Sequence, residues 1–160
     1  IYDKDMNIIN ELDGTYEQST QATMVGAMDY VEHLRNSEAY DNTVLIVMSD
    51  HGYNGSLGQS GEATWMRQCA LLLIKGINEH HDTMQISQAP ISFEDLQEAY
   101  VRLLDGRQSD EVFDWKEGDA RERRFLRYSF LDDDHMQEYM QTGYASDMDT
   151  MIPTGREYNR

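Results

Sequence analysis

Four consecutive residues, Ser49-Asp50-His51-Gly52, stand directly after the apolar run Val44–Met48. An Asp and a His offer a hard oxygen and a borderline nitrogen, a pair suited to Zn²⁺ or Mn²⁺. Gly52 lets the backbone bend so that both side chains can converge on one point. Open α/β sheets carry their sites at the carboxyl ends of strands. The tripeptide falls at such a place if Val44–Met48 is a strand. Taken alone it also fits an ordinary strand-ending turn, since turns use Asp and Gly freely.

Other residues able to do chemistry each have a plainer reading beside the functional one. Glu62, in the loop Gly58–Ala63, is a candidate ligand or a solvated loop carboxylate. Arg67 and Lys75 flank an apolar run and are candidates to face an anionic substrate, or surface charges. His80-His81-Asp82 is a ligand cluster or an exposed loop pair. His33 falls beside the apolar stripe of a helix, and His135 follows Asp132-Asp133-Asp134 in what reads as a solvated turn. Asn54-Gly55-Ser56 matches a glycosylation sequon, a short pattern of little weight. Cys69 abuts an apolar run and reads as core. As the single cysteine it rules out an internal disulfide.

The elements that must position these residues follow from hydrophobic periodicity. From Thr15 to Asn36, apolar residues at Met24, Ala27, Met28, Val31 and Leu34 have helical spacing. Tyr40–Thr43 is a turn. Val44–Met48 reads as a buried, parallel strand, and Ala70–Ile74 as a second buried strand. Polar loops occupy Ser49–Thr64 and Lys75–Gln88. Pro90–Leu104 reads as a second helix, with Ser92 and Asp95 as a capping box and Phe93, Leu96, Tyr100, Leu103 and Leu104 as its apolar face. Residues 15–105 thus have the rhythm of an α/β layer. Arg121–Phe130 and Met136–Tyr144 read as strands of a small antiparallel addition, ending in Gly155-Arg156-Glu157-Tyr158.

The composition narrows the partners. Across 160 residues, 13 Lys+Arg against 30 Asp+Glu give a net charge of −17. That field disfavours a nucleic-acid backbone or an anionic membrane surface as the main partner. An anionic substrate then requires a bound cation or a local basic pocket. No apolar run approaches the length of a membrane span. The start at Ile1, without a Met or a signal-peptide pattern, reads as the start of an excised piece.

The run Tyr40-Asp41-Asn42-Thr43, the apolar strand, and Ser49-Asp50-His51-Gly52 closely resembles a segment of the sulfatase-like branch of the alkaline phosphatase superfamily. Ala70–Gly76 looks like the next core strand of that family, and Ala89–Leu96 like its "P-[IV]-S-x-x-D-L" helix start. Glu138-Tyr139, Gly143-Tyr144-Ala145 and Thr154–Tyr158 are similar to the closing strands of membrane-anchored, lipoteichoic-acid-synthase-like members. The resemblance spans about residues 15–158, and the block over 40–52 is its most specific part.

The resemblance implies the C-terminal part of an α/β/α sandwich over residues 1–110, with residues 111–160 as an antiparallel extension of it. It implies that Asp50 and His51 are ligands of a divalent metal, Mn²⁺ or Zn²⁺, with Ca²⁺ and Mg²⁺ as further candidates. The activity implied is hydrolysis or transfer of a phosphate or sulfate ester. The family's nucleophile, a Thr, Ser or modified Cys, lies upstream with an acidic ligand. Thr15, Thr20 and Thr23 fall within a helix rather than at a strand end, and Cys69 lacks the sulfatase cysteine motif. No catalytic nucleophile is therefore expected here, and a missing N-terminal part would be the first partner. Relatives also carry a His shortly after the DHG. Gly58–Ala63 has none, so a second metal site of that type is not expected. The parent protein would be membrane-anchored, with this domain outside the cytoplasm. An exposed sheet edge would favour a homodimer, strengthened by salt. The competing class is a non-catalytic module with a structural or interaction role.

Overall fold

A computed structural model describes residues 2–3, 5–9, 14–52, 68–129 and 132–159. The chain divides into two compact units, Ile1–Val44 and Leu45–Arg160. Residues 110 and 111, where the antiparallel extension is expected to begin, lie inside the second unit.

The first unit is built on helix α1 (Tyr16–Asn36). Its start is set by Thr15. The Thr15 hydroxyl accepts from the Gln18 backbone N–H at 3.2 Å, and the Gln18 side chain accepts from the Thr15 N–H at 2.8 Å. This reciprocal box satisfies two donors that the first turn leaves open. At the other end the Arg35 guanidinium lies 4.9 Å from the centre of the Tyr40 ring. Ala22 and Val31 are buried, whereas Met28 of the expected stripe is half exposed. The turn expected at Tyr40–Thr43 is present, closed by Thr43 N–H to the Tyr40 carbonyl.

The second unit begins with strands β1 (Leu45–Met48) and β2 (Leu72–Lys75). They pair with each other antiparallel, Leu45 opposite Lys75 and Met48 opposite Leu72. The parallel arrangement expected for Val44–Met48 is therefore replaced by an antiparallel one. The reason is physical: an unbroken apolar run signals burial on both faces but carries no information about strand direction. Burial is also less complete than the run implies, since Met48 and Leu71 are each 40% exposed.

Helix α2 (Leu96–Leu104) follows a 3-10 turn at Phe93–Asp95. As the capping-box pattern requires, the Asp95 carboxylate accepts from the Ser92 backbone N–H at 2.7 Å. Arg121 fixes this start from outside. Its guanidinium donates to Asp95 at 2.5 Å and to the Pro90 carbonyl at 3.1 Å, and lies 4.6 Å from the Trp115 ring centre. Leu96, Ala99 and Leu103 are buried, and with Val112 they make the apolar core of this unit. Phe93 and Leu104, expected on the same face, are mostly exposed. Leu104 lies about 100° around the helix from Leu103 and so points off the buried stripe.

The remaining strands, β3 (Arg123–Ser129), β4 (Asp132–Gln141) and β5 (Met151–Asn159), form an antiparallel sheet with β4 in the centre. Phe125 and Tyr139 are directly opposite and stack with ring centres 6.0 Å apart. Pro153 stands in edge strand β5 opposite Tyr139. Asp132–Asp134, read as a turn, instead opens β4, with Asp132 already paired to Ser129. Three acidic residues in a row resemble turn chemistry, but the register of the neighbouring strand decides their conformation. The chain is thus a mixed α/β protein with antiparallel sheets.

Candidate metal centre

Strand β1 ends at Met48, whose sulfur accepts from the Tyr100 hydroxyl of α2 at 3.4 Å. Ser49 prolongs the contact with the β2 side: its N–H donates to the Leu71 carbonyl at 3.1 Å. Asp50 and His51 follow in a bend. They stand side by side at the carboxyl end of the strand. The Asp50 side chain is 90% exposed and that of His51 41% exposed.

The imidazole is oriented by its own chain. His51 Nδ1 lies 2.6 Å from the Gly52 carbonyl oxygen. A carbonyl can only accept, so this contact assigns a proton to Nδ1, and the neutral form of the ring with that tautomer has its lone pair on Nε2. Metal-binding histidines are held by this kind of bond from the second ring nitrogen. His51 Nε2 is 3.8 Å from Asp50 Oδ1. Two metal–ligand bonds of about 2.0–2.2 Å together span such a separation. The donor set, one imidazole nitrogen and one carboxylate oxygen, fits Zn²⁺ or Mn²⁺. Among the described residues no group of three or more His, Cys, Asp or Glu side chains gathers at one point.

The other candidates separate clearly. Glu62, Arg67 and the Asn54 sequon lie outside the described residues. Lys75 is not a surface charge: it is buried, and its ammonium donates to the Gly76 carbonyl at 2.8 Å. His33 is exposed on α1, and His80 and Asp82 are exposed in the stretch after β2. His135 sits in β4 rather than in a turn, 3.4 Å from the Glu157 carboxylate. Cys69 is partly covered rather than core, and its thiol donates to the Ala145 carbonyl at 3.0 Å. Burial raises its pKa, which keeps it protonated and a poor nucleophile.

One cluster escaped the sequence reading. Glu79, 4% exposed, receives the Gly76 N–H at 2.5 Å, the Ser109 hydroxyl at 2.5 Å, the Ser109 N–H at 3.1 Å and the His81 Nε2 at 3.0 Å. Burial alone would raise its pKa, but the bonds from Ser109, Gly76 and His81 outweigh that and bring it down to about 2. A lone Glu in a polar loop gives no sign of this in the sequence. The nearest signal is Gly76: a Cβ there would sit 2.9 Å from the Arg107 carbonyl and 3.0 Å from Glu79 Oε2. Glu138 is a second such residue, buried in β4 and bonded by Thr154, Tyr158 and Arg124, with the Thr154 bond foremost in lowering its pKa.

Compared with protein-family models, with curated proteins and with solved structures, the chain gives no match. Among the described residues no helix is long and apolar enough to cross a membrane.

Proposed function

We propose that Asp50 and His51 are two protein ligands of a divalent metal in a phosphate- or sulfate-ester hydrolase or transferase of the sulfatase-like kind. One observation carries the reading. At the carboxyl end of a strand, two suitable donor atoms stand exposed and 3.8 Å apart, within the block over 40–52 that bears the family resemblance. Mn²⁺ and Zn²⁺ match this donor pair best; Ca²⁺ and Mg²⁺ would need more oxygen ligands.

In this reading the chain's own residues bind and orient. Asp50 supplies negative charge to the metal, and Gly52 holds the His51 ring so that Nε2 faces outward as a ligand. The metal, when bound, favours the deprotonated form of a hydroxyl nucleophile and offsets charge on the transferring group. It also reconciles a protein of net charge −17 with an anionic substrate. The nucleophile and a further carboxylate ligand are supplied by sequence other than these residues. The surrounding α/β/α sandwich, and a membrane-anchored parent with this domain outside the cytoplasm, belong to the same proposal.

Calorimetric titration with Mn²⁺ and Zn²⁺ tests the ligand assignment. The chain is expected to bind weakly, because catalytic zinc sites use three protein ligands and two are proposed here. Asp50→Ala and His51→Ala are each expected to abolish binding. Binding unchanged in both variants would sink the assignment. Turnover of generic phosphate and sulfate esters by the parent protein then decides the substrate class, and no turnover of either would favour a structural or interaction module.

A further inference from the structure

Asp50 and His51 are consecutive in sequence, and consecutive side chains of a strand point to opposite faces of its sheet. A strand that simply continued past Met48 would hold the two donor atoms apart. Something must end the strand between Met48 and Asp50.

The register of β1 and β2, extended by one step, places Ser49 opposite Leu71. Antiparallel partners of the hydrogen-bonded kind exchange two main-chain bonds, one in each direction. Here the first is present, Ser49 N–H to the Leu71 carbonyl at 3.1 Å. The second is altered. The Leu71 N–H donates to the Ser49 hydroxyl oxygen at 2.8 Å, in place of the Ser49 carbonyl. A side chain thus completes the last rung of the ladder. Leu71 keeps its acceptor, while the Ser49 carbonyl is released from the pairing and the backbone turns away. The next two residues lie in a bend, with their donor atoms 3.8 Å apart instead of on opposite faces.

We propose that Ser49 is a positioning residue for the metal pair: its hydroxyl, by replacing its own carbonyl as acceptor for Leu71, ends β1 where Asp50 and His51 can converge. The inference rests on the reading of those two residues as ligands. It requires an oxygen on the Cβ of residue 49. Alanine and valine lack it, whereas threonine retains it.

Line broadening by Mn²⁺ in the NMR spectrum of the full 160-residue chain provides the test, because it detects weak binding and needs no turnover. In the unmodified chain, Mn²⁺ is expected to broaden the signals of Asp50 and His51 selectively. Ser49→Ala is expected to need roughly tenfold more Mn²⁺ for the same broadening, the usual cost of losing a group that orients a ligand. Ser49→Val repeats the deletion with a side chain that favours strands. Ser49→Thr should restore broadening to within about twofold. Faster hydrogen exchange at the Leu71 amide in the Ala and Val variants would report the lost bond. Ala and Val variants that broaden like the unmodified chain would overturn the positioning role and leave the ligand assignment standing. Absence of selective broadening in the unmodified chain would overturn the ligand assignment, and this inference with it. Loss of the fold in both variants would also overturn it, by making Ser49 a stability residue.

Discussion

Two strand ends in this molecule each carry a carboxylate and a histidine, and they use them in opposite ways. After β1, Asp50 and His51 stand exposed, 3.8 Å apart, and the imidazole is held through Nδ1 by the Gly52 carbonyl. After β2, Glu79 is buried and takes hydrogen bonds from Gly76, Ser109 and His81. The residue types are nearly the same. What differs, among the described residues, is whether the oxygens already have donors. A carboxylate saturated by its own chain has no lone pair left for an ion, and its free energy goes into holding segments together. At Glu79 those segments are the turn after β2 and the stretch after α2. A carboxylate without such donors adds little to the fold and keeps its coordination capacity.

The sharpest way to break this contrast is to remove the buried member. Glu79→Ala leaves the Gly76 and Ser109 donors without their acceptor, each at a cost of about 1–3 kcal/mol. The expected loss is roughly 3 kcal/mol of unfolding free energy in a denaturant titration. A loss below about 1 kcal/mol would mean that Glu79 is not the staple described here.

Acid provides a second, graded test of the same side. The folded-state pKa of Glu79 is depressed to about 2, so the unfolded chain binds its proton first as pH falls. Its stabilisation is fully present above the ordinary carboxyl range and is lost progressively as pH drops towards 2. Unfolding midpoints followed from pH 6 to pH 2 should fall in the unmodified chain. They should fall less in Glu79→Gln, which has no proton to gain. Parallel curves would remove Glu79 from the acid response.

The smallest expected effect sharpens the other half of the comparison. Asp50→Ala should change unfolding free energy by no more than about 0.5 kcal/mol, as for other exposed positions. A destabilisation comparable to that of Glu79→Ala would show that Asp50 serves the fold rather than an ion.

Much of the scaffold was legible from the residues, because its signals are local. Ser92 with Asp95 marked a helix start through a bond that spans three residues, whereas the Thr15–Gln18 box at the start of α1 was seen only in the structure. The apolar periodicity found α1 and α2, and short apolar runs found β1 and β2, but β4 opens at Asp132, where a turn was read. What depended on distant partners was not legible. The direction of β1 relative to β2 is set by pairing across more than twenty residues, and the run Val44–Met48 has no way to encode it. Lys75 reads as a flanking surface charge until the chain around it buries the ammonium. Glu79 and Ser109 meet only because β2 and α2 bring their following loops together. At the candidate centre, the tripeptide Asp50-His51-Gly52 announced itself by type and spacing. The part played by Ser49 emerges only from the register with Leu71.

Pro153 in β5 bears on how separate molecules meet. An outermost strand usually offers a row of main-chain N–H groups to any passing extended segment. Proline has no N–H, so the row on β5 has a gap, and β3, on the opposite side of β4, carries Arg124 and Arg127 exposed. Growth of this sheet by stacking molecules edge to edge is blunted at both ends. Should two copies associate, the contact is expected to form on side-chain surfaces rather than by extending the β3–β5 sheet, and so to remain a small closed assembly instead of a fibre.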